Sequence, residues 1–142
     1  MSFYENVEEE GKGDATAQLT QWPVQLHLLN PASPAFKDSD FVLAADCTAF
    51  AYGGFHREFL KGKKLAIACP KLDQGPDIYT DKIRVLMDEA GINTLSVMIM
   101  EVPCCGGLLS LALKAAEKAS RRVPVKKIVV SIKGEIFSEE WI

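Results

Sequence analysis

The sequence lacks the features that mark several large classes of protein. No apolar run reaches the roughly 18 residues that a membrane-spanning helix needs, and no signal-peptide pattern opens the chain. Basic residues cluster only as short pairs in a chain of net charge −3, which offers nucleic acid no electrostatic footprint. These absences argue against membrane and nucleic-acid partners and predict a cytoplasmic protein.

Short motifs for nucleotide and metal sites are missing as well. The sequence contains no Gly-x-Gly-x-x-Gly, no P-loop lysine motif and no Cys-x-x-Cys. Its four cysteines are too few and too scattered for a small disulfide scaffold, so we expect reduced thiols. With 142 residues, 48% of them apolar, the chain is long enough to form one domain around its own core.

The first twenty residues differ in composition from the rest. Five acidic residues and one lysine fall within residues 1–14, and no sustained apolar periodicity appears there. Such a segment is typical of solvated chain. We therefore predict a flexible acidic arm over residues 1–20 and a single domain over residues 21–142.

Short apolar runs alternate with helical stretches through the predicted domain. The pattern predicts strands over 24–29, 41–45, 65–68, 95–100 and 128–132, and helices over 49–60, 77–90 and 108–121. Gly53 and Gly54 should weaken or break the first helix, and Gly91 should end the second. Most of the strands are apolar on both faces, which is typical of parallel sheets covered on both sides. The expected class is α/β: a three-layer, open, mostly parallel sheet of about five strands with helices on both faces.

The cysteines follow the predicted strands. Cys47, Cys69 and the adjacent pair Cys104 and Cys105 each come just after a strand ends. Because the carboxyl ends of parallel strands share one edge, where open α/β sheets bind ligands, we expect the thiols to converge there. Three further side chains are expected as neighbours of this cluster: Asp46, His56 and Glu101.

Thiolates are soft ligands that suit an iron–sulfur cluster or zinc. Cys104 and Cys105 would lie at the start of a helix, where free amides lower thiol pKa and where Gly106 and Gly107 allow a cofactor to approach closely. Adjacent residues rarely both ligate one mononuclear ion, so a multinuclear cluster fits the pair better. Spacing and topology leave three interpretations open: a metal or cluster site, redox-active thiols, and inert buried cysteines.

Four stretches together resemble a known family. They are QWPVQLHL at 21–28, AADC at 44–47, ACPKLD at 68–73 and EVPCCGG at 101–107, and IKGEI at 132–136 also fits. Over about residues 21–142 the chain resembles the C-terminal domain of ferredoxin-type (4Fe–4S) iron–sulfur cluster-binding proteins of anaerobic bacteria. Members of that family carry an upstream ferredoxin module with Cys-x-x-Cys-x-x-Cys-x-x-x-Cys-Pro motifs, which have no counterpart in this sequence.

The resemblance implies a function for the thiols. It implies that Cys47, Cys69, Cys104 and Cys105 belong to a cluster-binding or redox site, and that the domain transfers electrons with a ferredoxin module or another redox partner protein. Two alternatives stay open beside this electron-transfer domain. One is a thiol oxidoreductase that uses Cys104 or Cys105, and the other is a structural zinc or interaction domain with inert cysteines.

Overall fold

The computed structural model describes residues 16–103 and 106–142. Five strands form one sheet: β1 (Asp40–Ala45), β2 (Lys64–Ala68), β3 (Thr94–Met100), β4 (Val125–Val130) and β5 (Ile136–Trp141). Three α-helices accompany them: α1 (Thr48–Ala51), α2 (Pro76–Val85) and α3 (Gly106–Lys118). Wider π-helical turns cover Phe55–Leu60 and Leu86–Ala90, and short 3₁₀ helices cover Leu26–Leu28 and Pro34–Phe36.

The strand order is β2-β1-β3-β4-β5, with the first four strands parallel and β5 antiparallel. Parallel crossovers are right-handed, so the change of direction after β2 places α1 on one face and α2 and α3 on the other. Helices α2 and α3 pack against each other, as neighbours on one face do. The predicted three-layer α/β class, with a mostly parallel sheet of five strands, is confirmed.

The core is the middle of the sheet and the helix faces against it. Every residue of β3 after Thr94 is buried, and so is every residue of β1 after Asp40. Central strands covered on both faces need this continuous apolar run. The helix predicted over 77–90 forms as α2 and its π-helical continuation, and Gly91 ends it at a φ of +67°, as expected.

The strand predicted over 24–29 is wrong. Gln25 makes one isolated bridge to Ile67, and the chain then turns into the 3₁₀ helix Leu26–Leu28. The Gln25 side chain accepts a hydrogen bond from the His27 amide at 2.8 Å. Lys82 Nζ donates to the carbonyls of Leu26, His27 and Leu29 at 2.6 to 3.0 Å. These side chains satisfy backbone groups that a strand would have paired with a neighbour.

Two further predictions need adjustment. The helix predicted over 49–60 is broken at Gly53 and Gly54 into α1 and the π-helical turn Phe55–Leu60, the break the glycines led us to expect. The antiparallel strand β5 was not predicted, because Ser138, Glu139 and Glu140 give it no buried apolar run. Its partner β4 ends at Val130, so the strand predicted over 128–132 begins and ends earlier than expected.

Residues 1–15 of the predicted acidic arm lie outside the described residues. The rest of that arm contacts the domain: the Gln18 amide donates to His56 Nδ1 at 3.0 Å, and Lys64 Nζ donates to Thr20 Oγ1 at 2.9 Å. Within the described part of the chain, no helix is both long and apolar enough to cross a membrane.

Candidate functional site at the carboxyl edge of the sheet

The sheet has one topological switch point. From β1 the chain crosses to β2 on one side, and from β2 it returns past β1 to β3 on the other. In open α/β sheets the crevice beyond the carboxyl ends of the strands at such a point is the usual ligand site. Here the residues that follow β1 and β3 flank that crevice, and Asp46 and Cys47 are the first two after β1.

Cys47 and Cys69 follow neighbouring strands at this edge. Ala45 and Ala68, the last residues of β1 and β2, are paired in register, and the Asp46 amide donates to the Ala68 carbonyl at 3.2 Å. Cys47 is exposed and Cys69 is half-buried, and both are free thiols. The structure therefore brings these two predicted site residues to adjacent positions of one edge.

Cys104 and Cys105 lie outside the described residues, between the end of β3 and the start of α3. The residues on their helical side are placed: a Cβ on Gly107 would lie 3.4 Å from two side-chain atoms of Pro70. The start of α3 thus packs against the residue that follows Cys69. Gly106 faces open space, with nothing within 4 Å of where a side chain would begin.

Asp73 anchors the loop that carries Cys69. Its Oδ2 accepts hydrogen bonds from the Cys69 amide at 2.9 Å, from Gln25 Nε2 at 3.2 Å and from the Tyr79 hydroxyl. Burial by itself would raise the pKa of Asp73, but these hydrogen bonds outweigh it and lower that pKa below its usual value. Burial of the Tyr79 side chain, together with its hydrogen bond to Asp73, raises the pKa of Tyr79 far above that of a free tyrosine.

Asp46 is the opposite case. Its Oδ1 is buried and has no hydrogen-bond partner among the described residues. Burial, with a contribution from the charge of Asp73, raises the pKa of the Asp46 carboxyl. Two aspartates that follow neighbouring strands thus have pKa shifts of opposite direction, because one is surrounded by donors and the other is not.

Of the other two predicted neighbours of the thiols, only His56 lies near Asp46. Both residues line one pocket on the α1 face of the sheet, whereas Glu101 is exposed just after β3. His27 is not on a strand: its Nε2 contacts the Gln74 carbonyl at 2.5 Å, and its ring lies 4.3 Å from that of Tyr79. Sequence reasoning missed Gln25 and Tyr79, because no motif connects either residue to Asp73.

The described residues alone do not form a metal site. Across 16–103 and 106–142, no three histidine, cysteine, aspartate or glutamate side chains form a group able to hold a metal ion. Cys47 and Cys69 supply two thiolates, so a complete ligand set at this edge requires Cys104, Cys105 or both. The donor type fits an iron–sulfur cluster or zinc, and the number of described donors does not complete either.

The strand order defines a doubly wound α/β domain whose topological switch point lies between β1 and β3. The family model of the Rossmann-like domain matches residues 33–142. The chain therefore belongs to the Rossmann-like domain family. It is also 30% identical, over 119 residues, to a protein of Archaeoglobus fulgidus described as an uncharacterized protein, with 84% of this chain and 83% of that protein covered. No solved structure matches the chain.

Proposed function

We propose that this protein is an electron-transfer domain that holds an iron–sulfur cluster at the carboxyl edge of its sheet. The ligands would come from Cys47, Cys69 and Cys104 or Cys105. One observation carries the proposal: the adjacent parallel strands β2, β1 and β3 have their carboxyl ends at the same edge, and cysteine follows each of the three in the sequence. Random placement of four cysteines in 142 residues would not be expected to put one after each of these three strands.

Each of the chain's own groups has a part in this proposal. The Asp73 carboxylate holds the Cys69 amide, so the position of that thiol is set by a loop tied to Gln25 and Tyr79. The first turn of α3 carries backbone amides without helical partners, which stabilise negative charge nearby. An iron–sulfur cluster accepts and donates single electrons, and the exposure of Cys47 leaves room for a redox partner to approach.

The resemblance to ferredoxin-type proteins supports a ferredoxin module, or another small redox protein, as that partner. Zinc is the alternative occupant, since it takes the same thiolates and would make the site structural. A thiol oxidoreductase needs one cysteine, Cys104 or Cys105, to be far more reactive than the rest, and both of these residues lie outside the described ranges.

Metal analysis of protein purified without oxygen tests the proposal. We expect iron and acid-labile sulfide in comparable amounts, with visible absorbance that bleaches on reduction. Cys47→Ser and Cys69→Ser should each lose most of the iron, whereas Leu72→Ser, an exposed change in the Cys69 loop, should keep it.

The same experiment can contradict the proposal in two ways. Wild-type protein that stays colourless and free of metal after anaerobic reconstitution would sink it. Stoichiometric zinc without sulfide, lost in both cysteine variants, would replace the iron–sulfur cluster by a structural zinc site at the same edge.

A further inference from the structure

A pocket of about 170 Å³ lies beside Asp46, on the face of the sheet that carries α1. Its walls are almost entirely apolar, and they come from β1, β2, the π-helical turn Phe55–Leu60 and the segment that precedes β1: Ala44, Leu65, Ile67, Phe55, Leu60 and Leu19. An apolar cavity of about 150 Å³ is large enough to hold a benzene ring. The pocket therefore has the size of a small ring or a short branched chain.

Three polar side chains line this pocket: Asp46, Thr48 and His56. The Thr48 hydroxyl already donates to the Ala45 carbonyl at 2.8 Å. His56 already has a partner, because its Nδ1 accepts from the Gln18 amide. Asp46 has a buried oxygen without a donor, and leaving such a group unsatisfied costs stability. The terminal torsion of an aspartate is soft, so the carboxylate can turn toward a donor that enters the pocket.

The charge around Asp46 selects the kind of donor. No lysine or arginine in the described ranges forms an ion pair with it, and the charge of the Asp73 carboxylate adds to the negative potential at Asp46. Negative charge without a compensating cation favours a cationic donor over a neutral one. An ammonium group would supply both the missing hydrogen bond and the missing charge.

We propose that this pocket binds a small primary amine, with its apolar body against the strand residues and its ammonium on Asp46. The ligand chemistry of this site differs from that of the thiols, and the argument for it does not rest on the proposed cluster. It adjoins Cys47, so an amine bound there would lie next to the switch-point crevice.

Titration of the full chain with benzylamine, followed by NMR chemical shifts, tests this site. Benzyl alcohol is the matched neutral compound. We expect benzylamine to saturate in the millimolar range or tighter, with shifts at Ala44, Ile67 and Phe55, and to bind about tenfold more tightly than the alcohol. Asp46→Asn should remove most of that preference while leaving the alcohol's affinity within about twofold.

A second variant separates the pocket from the carboxylate. Ala49→Leu places extra volume at the exposed rim of the pocket and should weaken both compounds, provided that thermal unfolding shows it folded. The molecule also contains an internal control: another pocket, of about 210 Å³ beside Trp22 and Leu28, has no acidic side chain in its lining.

Three results would overturn the proposal. They are shifts that do not saturate, shifts confined to the pocket beside Trp22, and an amine preference that Asp46→Asn leaves intact. None of these bears on the iron content of the protein, so failure of this site and failure of the proposed cluster are distinguishable.

Discussion

The two ends of the sheet differ in how completely the protein satisfies its own polar groups. At the amino end, Arg121 Nη1 donates to the carbonyls of Met87 and Ile92, and Asp88 accepts from the amides of Ser120 and Arg121. At the carboxyl end, Asp46 Oδ1 lacks a partner in the described structure, and three large apolar side chains are exposed: Phe50, Leu72 and Ile132.

The difference indicates which end has another task. Polar contacts that close loops onto each other stabilise the fold and leave little for a ligand to bind. Large apolar side chains are exposed at the amino end too, at Trp141 and Ile142, so the contrast rests on the buried Asp46 oxygen that lacks a donor. A polar atom left in that state is costly for stability alone, and such groups gather where proteins bind something else. If this contrast is right, substitutions at the two ends of the sheet should change the free energy of unfolding in different ways.

The largest effect is expected at Asp73, whose Oδ2 accepts three hydrogen bonds at the carboxyl end of the sheet. Asp73→Ala leaves the Cys69 amide, the Tyr79 hydroxyl and Gln25 without their acceptor, and should lower the free energy of unfolding by about 2 kcal/mol. Asp73→Asn retains an acceptor oxygen and should lose about half as much. Urea denaturation at pH 7 measures both, and equal stabilities of the two variants would contradict this account.

The second-largest effect is expected at the amino end of the sheet. Arg121→Met removes the donor to two carbonyls at the end of the helix that follows α2, and should cost about 1 to 1.5 kcal/mol. Arg122→Met, at the exposed neighbouring position, is the control and should change the free energy of unfolding by less than about 0.5 kcal/mol. If both variants unfold at the same urea concentration, the hydrogen bonds of Arg121 do not stabilise the amino end of the sheet.

A smaller effect of opposite sign is expected at Asp46. Because burial raises the pKa of this carboxyl in the folded protein, its contribution to stability is present below the usual carboxyl pKa and is lost as pH rises through the folded value. Asp46→Asn removes the charge, so the variant should be more stable than wild type by about 0.5 kcal/mol at pH 7.

The difference at Asp46 should disappear on acidification, as the wild-type carboxyl becomes protonated. Thermal unfolding of wild type and Asp46→Asn at a series of pH values from 3 to 7 checks the sign. A variant that is less stable than wild type at pH 7 would show that the carboxylate has a stabilising partner after all.

The smallest effect is expected at the exposed apolar side chains. Leu72→Ser and Ile132→Ser remove 79% and 68% exposed side chains and should each change the free energy of unfolding by less than about 0.5 kcal/mol. Any effect of these variants on binding to a redox partner would then be due to the surface itself. A decrease of more than about 1 kcal/mol in the free energy of unfolding would show that these side chains contribute to the hydrophobic core.

Much of the fold followed from patterns that need no knowledge of distant contacts. The buried runs in β1 and β3 and the glycine that ends the helix after α2 are local signals, and each was predicted close to its observed position. The strand prediction over 24–29 was wrong although apolar and polar residues do alternate there. Lys82, more than fifty residues away in the sequence, donates hydrogen bonds to three carbonyls of this segment, and no local pattern reveals that contact. Strand β5 was not predicted, because an edge strand needs no continuous run of buried apolar residues.

The candidate site divides in the same way. That Cys47 and Cys69 follow parallel strands whose ends share one edge was predicted from their positions alone. That the two strands are neighbours came from the structure. The contact between Gly107 and Pro70 and the network around Asp73 could not be predicted, since they depend on how loops of different strands pack.

By itself, the sequence determined the fold class and the edge of the sheet at which Cys47 and Cys69 lie, because hydrophobic periodicity and the order of elements are properties of the chain. Only the tertiary structure decided the strand order with its switch point between β1 and β3, and the fates of the two aspartates. The physical reason is that a carboxyl group's pKa and partners depend on which donors the folded chain places around it. Asp73 meets three donors, whereas Asp46 Oδ1 meets none in the described structure.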